Sequence, residues 1–128
     1  MRNLLLKLRE ALAADLLLTA RETMEAAREM APEGAPPRDE PRLKDSFSVE
    51  AEGIAARVTV SNPHAAYVEF GTGRRGADSP SPPKSPEASD YDPDWPGMAA
   101  RPYLYPAAQM ARTGFLRRMA EAARRGFH

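Results

Sequence analysis

Cysteine is absent from this chain of 128 residues, and histidine occurs only twice, as His64 and the terminal His128. The first absence removes any disulfide framework or thiolate metal site, which suits a reducing compartment and leaves little for redox chemistry. Long apolar runs are missing too. The opening MRNLLLKLREALAADLLL is interrupted by Lys7, Arg9, Glu10 and Asp15, well before the roughly 20 apolar residues that span a bilayer, so it reads as neither a membrane span nor a signal peptide. An excess of one charge is also lacking. Eighteen basic residues balance eighteen acidic ones, so the whole molecule exerts no long-range pull on nucleic acid or anionic membrane, and any such attraction has to be local.

What is present fits one domain, 1–128, since a chain of this size supports a single core. From Asn3 to about Met30 the apolar residues Leu5, Leu8, Leu12, Leu16, Met24, Ala27 and Met30 recur at helical spacing, which predicts an amphipathic helix over 1–30. Pro32, Gly34, Pro36 and Pro37 then stop it, and a flexible connection is expected to about Pro41. In 43–76 the pattern changes. Phe47, Val49 and Ala51 alternate with Ser48 and Glu50, and Val58 and Val60 with Arg57 and Thr59, predicting a hairpin over Ser46–Ser61 that turns at Glu52-Gly53. Such a hairpin is marginal alone, and its apolar face calls for a helix.

Asn62-Pro63 is a helix-start signal and Gly71 a stop, so His64 to Phe70 reads as a short helix with Ala65, Val68 and Phe70 inward and His64 and Glu69 outward. Residues 77–97 form a Pro-rich acidic loop or arm: six prolines, five acidic residues and one lysine lie between Asp78 and Pro96. This composition buries little and stays extended, with Tyr91 and Trp95 as its anchors. Helical spacing returns in Leu104, Ala108, Ala111, Phe115, Met119 and Ala123, predicting a C-terminal helix over 101–126. The expected class is α+β, a small antiparallel sheet against two long helices.

Chemistry finds few candidates in this inventory. Acid–base or nucleophilic catalysis needs a base beside its partner, yet His64 and Glu69 are five residues apart and would diverge by about 140° on one helix. No HExxH spacing occurs, so no catalytic, cofactor or metal residue is assigned. GTGRRG, residues 71–76, could cradle a phosphate, but it lacks the Lys-Ser or Lys-Thr of a P-loop, and its glycines serve equally to end a helix and turn the chain. Arg112, Arg117, Arg118, Arg124 and Arg125 in the last helix face a single acid, Glu121. They form a candidate basic stripe for DNA, or for a protein surface such as the acidic arm.

Three pieces in order, LKDSF before the hairpin, HAAYVEFGTG, and ARPYLYPA at the last helix, resemble the neck or tail-completion family of long-tailed double-stranded DNA bacteriophages, the minor tail components or head-tail joining proteins. The resemblance covers about residues 43 to 116. Its motif residues are Tyr67, Glu69, Phe70, Gly71 and Thr72, then Arg101, Pro102, Tyr103 and Leu104. It implies a non-enzymatic virion protein assembled in the host cytoplasm as a ring, typically hexameric, through which DNA passes. Its implied partners are further copies, head-closure or connector proteins, and tail-terminator or tail-tube proteins, with no membrane and no cofactor. Under it Glu69 is expected to pair with Arg101, packed round by Tyr67, Phe70 and Tyr103. A tail-terminator subunit and a small nucleic-acid-binding module are the alternatives.

Overall fold

The computed structural model describes residues 2–32, 42–87 and 91–126. The expected flexible connection after Pro32, to about Pro41, therefore lies outside the described residues. Helix α1 spans Arg2–Met30; a 3-10 turn, Leu43–Asp45, leads into β1, Phe47–Glu52, and β2, Ala55–Val60. Two short helices follow, α2 at Ala65–Phe70 and α3 at Gly73–Ala77, and the chain closes with α4, Leu104–Arg124. The class is α+β: both long helices and one antiparallel hairpin share a core.

The hairpin pairs Phe47 with Val60, Val49 with Val58 and Ala51 with Ala56. Side chains alternate across a strand, so these six residues share one face, which packs on α1 through the partly buried Phe47, Val49, Ala56, Val58 and Val60, while Ala51 near the turn and, on the other face, Ser48, Glu50, Arg57 and Thr59 stay exposed. The turn itself is Gly53-Ile54, one residue beyond the expected Glu52-Gly53, with Gly53 at φ +57°, a value that glycine adopts without a Cβ penalty.

Between the long helices the contact is made by small residues. Ala20, Ala27 and Ala31 on α1 and the residue after it face Ala107 and Ala111 on α4, all buried. Alanine at these positions lets two helix backbones approach closely. Arg118 fastens the pair: its guanidinium donates to both Asp15 oxygens at 2.9 and 3.0 Å and to Thr19 Oγ1 at 2.9 Å, and it meets Glu22 at 3.1 Å.

Into this thin alanine seam projects one large side chain, Tyr103, only 1% exposed. Its ring meets Phe47 edge-on at 5.9 Å, and Leu43, Val60, Val68 and Leu104 complete the cluster. Tyr103 thus ties the hairpin, α2 and the start of α4 to one point. One expectation needs correction here. The last helix begins at Leu104, so Arg101 and Pro102 precede it. In GTGRRG, Gly71 ends α2 and turns the chain at positive φ, and the segment then opens α3.

Candidate functional site: a carboxylate clamp between two helices

A helix start leaves its first backbone N–H groups without intrahelical acceptors, and Ser, Thr, Asp or Asn at the N-cap normally supplies one. Helix α4 has Tyr103 at that position, whose side chain makes no capping bond. The acceptor comes from elsewhere. Glu69 Oε2 accepts the N–H of Tyr103 at 3.1 Å, and Oε1 accepts those of Leu104 at 2.7 Å and Tyr105 at 3.2 Å. The fourth position is Pro106, which has no N–H to satisfy. One carboxylate, 34 residues upstream of the first donor, therefore accounts for the whole exposed end of α4. Its negative charge also sits at the positive end of the helix dipole.

Glu69 is 6% exposed, so the expectation that it looks outward is overturned. The reason is energetic: the donors of α4 compensate its desolvation better than a solvent-facing orientation would serve them. The expected pair with Arg101 is likewise corrected. The Arg101 side chain is exposed, and no ion pair joins it to Glu69 among the described residues. Arg101 contributes its backbone, donating to the carbonyl of Val68 at 2.8 Å.

Tyr103 packs beside the clamp as expected and donates its hydroxyl proton to the carbonyl of Ala65 at 3.0 Å. Burial first, and then the nearby negative charge of Glu69, push its pKa up to about 12. Phe70 is half-buried; Tyr67 is 56% exposed and faces away. His64 is exposed and lies just before α2, its N–H held by Asn62 Oδ1 at 2.9 Å.

Gly71 and Thr72 form the second half of the joint. Thr72 and Met98 make a two-way backbone bridge at 2.8 and 3.1 Å, and the N–H groups of Arg74 and Arg75 donate to the carbonyls of Trp95 and Pro96 at 2.9 and 3.0 Å. Those carbonyls occupy the start of α3, where the phosphate reading of GTGRRG would need an anion. Glycine is required for this contact. Gly71 has φ +73°, and a Cβ there would lie 2.6 Å from both the Ala100 nitrogen and the Met98 oxygen.

The described part of the Pro-rich segment is folded back on α2 and α3, contrary to the expectation of an extended arm. Polar bonds hold it where apolar burial could not. Lys84 is 5% exposed, its ammonium donating to the carbonyls of Gly76 at 2.9 Å and Ala77 at 3.2 Å and lying 5.1 Å from the centre of the Tyr91 ring. Tyr91 donates to the Phe70 carbonyl at 2.8 Å, and Ser79 links the carbonyl of Arg75 to the N–H of Ala100 at 2.7 and 2.8 Å. Tyr91 is thus an anchor, whereas Trp95 leaves its ring half exposed and anchors through its carbonyl.

The five arginines of α4 do not form one stripe. Arg118 turns to α1, and Arg112 lines a groove between α1, β2 and α4. Arg112, Arg117, Arg124 and Arg125 all remain exposed, with exposed Glu121 among the last three. Groups of His, Asp or Glu able to hold a metal ion are absent among the described residues, and no described helix is long and apolar enough to cross a membrane. No protein-family model, curated protein or solved structure matches the chain.

Proposed function

We propose that this chain is a structural subunit of the neck of a long-tailed DNA bacteriophage, assembling as a ring, hexameric by resemblance, that completes or joins the tail and lets DNA pass. The observation that carries the reading is the convergence of its two motifs on one clamp. Glu69 from the first reaches the N–H groups of Tyr103 and Leu104 in the second, while Thr72 and Gly71 lock against residues just before it. Each of these contacts ends on backbone, the carboxylate of Glu69 on the N–H groups of α4 and Thr72 on Met98. None leaves a reactive group poised beside a base in a cleft, which is what catalysis by this segment would need.

On this reading the subunit is a virion protein and works without cofactor. Its partners are other copies of itself, head-closure or connector proteins on one side, and tail-terminator or tail-tube proteins on the other. A tail-terminator ring is the alternative within the same class. The alternative outside it, a small nucleic-acid-binding module, draws on the exposed Arg112, Arg117, Arg124 and Arg125 but loses Arg118 to Asp15.

Light scattering and negative-stain imaging of the purified chain, alone and mixed with the neck and tail proteins encoded beside it, test the proposal. Closed rings that bind those proteins are expected. A monomer that ignores them and binds duplex DNA with a steep salt dependence would refute the ring and favour the nucleic-acid module.

A further inference from the structure

Because β1 and β2 make up the sheet of the described residues, each strand keeps one unpaired edge. The hairpin fixes which backbone groups those edges carry. Around its two-residue turn the pair Glu52–Ala55, and by alternation Glu50–Arg57 and Ser48–Thr59, exchange bonds within the hairpin; the bond from Ser61 N–H to the Ser46 carbonyl at 2.9 Å continues that phase. The outward groups therefore belong to Ala56, Val58 and Val60 on β2 and to Phe47, Val49 and Ala51 on β1. Neither strand contains proline or lysine, and the pairing runs without a bulge. Of the usual guards against edge pairing, proline, lysine and a bulge are missing, and the charges present are Glu50, Glu52 and Arg57.

Beside the free edge of β2 runs a groove of about 380 Å³. Leu16 and Ala20 of α1, Val58 of β2, and Leu104, Ala108 and Phe115 of α4 line it, with no residue of β1. It continues the apolar layer between the helices and the hairpin, past the point where the sheet stops. A further strand on the β2 edge would roof it.

Charge on the outer face selects the strand. There β1 exposes Glu50 and Glu52, and β2 exposes Arg57. A second β2 on this edge would bring arginine toward arginine or Thr59, whereas β1 of a second copy would set Glu50 opposite Arg57. Opposite charges directly across a pair are the favoured arrangement.

We infer that copies of this chain join head to tail through the sheet, β1 of one copy adding antiparallel to the free edge of β2 of the next. The inference rests on the ring reading and names its interface. Val58 exchanges backbone bonds with Val49 of the next copy, and Arg57 stands between its own Glu50 and the neighbour's. Copies related by rotation about an axis roughly along the strands preserve the antiparallel alternation. When the rotation closes, no strand edge is left unpaired.

Backbone hydrogen exchange on the assembled wild-type protein tests this directly. The Ala56, Val58 and Val60 amides should be protected in the assembly and exchange freely on dilution to monomer. Val58→Pro removes a donor that the hairpin does not use, so the fold should persist by circular dichroism while the subunit dissociation constant rises about tenfold, the loss of one net hydrogen bond. Arg57→Glu should weaken assembly, and Glu50→Arg with Arg57→Glu should restore it. Rings in which those amides exchange at monomer rates, or in which the charge variants assemble like wild type, would overturn the sheet interface and leave the ring standing. A pair of copies that stops at two would also overturn it, and a chain monomeric under all conditions would remove both readings.

Discussion

Replacing Glu69 separates a helix clamp from an ion pair. In Glu69→Ala the N–H groups of Tyr103, Leu104 and Tyr105 lose their acceptor in a place where water has little access. Losing a cap costs about 1 to 2 kcal/mol at ordinary helix ends, and each bond to a charged acceptor is worth about 1.5 to 3 kcal/mol before non-additivity. With the acceptor 6% exposed and three donors served, the expected loss is about 3 to 4 kcal/mol. For a domain of this size that corresponds to a fall in Tm of roughly 10 to 20 °C. Glu69→Gln keeps one acceptor oxygen but turns an amide donor toward the helix end and removes the charge, so about half that loss is expected. Arg101→Ala removes an exposed side chain and should stay within about 0.5 kcal/mol. Thermal unfolding followed by circular dichroism or calorimetry decides. If Arg101→Ala destabilises as much as Glu69→Ala, or Glu69→Ala lowers Tm by under about 3 °C, the clamp is not what holds α4.

Two further outcomes follow from geometry and from the tyrosine. Gly71→Ala must carry a Cβ 2.6 Å from two backbone atoms at φ +73°, so a loss above about 2 kcal/mol is expected in urea unfolding; near-wild-type stability would show that the 71–76 and 95–100 segments do not interlock. Tyr103 has its folded pKa raised to about 12 from 10.0, so its contribution is fully present below pH 10 and is lost as pH rises toward 12. Stability should fall by about 2 to 3 kcal/mol across that window, measured as the urea midpoint, and the Tyr103→Phe variant should show a correspondingly flatter profile.

The long helices and the hairpin were legible because each buries one face against the others, and burial imposes periods of 3.6 and 2 on the sequence. The inward side of the hairpin, Phe47, Val49, Val58 and Val60, follows from alternation alone. Glu69 was misread because a lone carboxylate on a short helix is ordinarily solvated, and its acceptor role depends on a helix end 34 residues away. A signal did exist: ARPYLYPA opens a helix without Ser, Thr, Asp or Asn at its N-cap, which leaves its first N–H groups to water or to a remote acceptor. The arginines held one as well. Arg112, Arg117 and Arg118 differ in azimuth by about 100° or more on a helix, so they cannot share a face. The Pro-rich segment was misjudged because its order comes from Lys84, Ser79 and Tyr91 bonding to backbone carbonyls and amides, and composition measures only its capacity for apolar burial.

A helix whose first turn is completed by a distant residue cannot be finished by local sequence. Before Glu69 arrives, the opening of α4 is frayed, and bringing it there closes a loop of more than thirty residues whose entropy is recovered only when Lys84, Tyr91 and the Thr72–Met98 bridge form along with it. The middle of the chain and its last helix are consequently bound into a single cooperative folding event. A fragment carrying α4 alone would show helix beginning a turn late, and adding the missing half in trans would restore it.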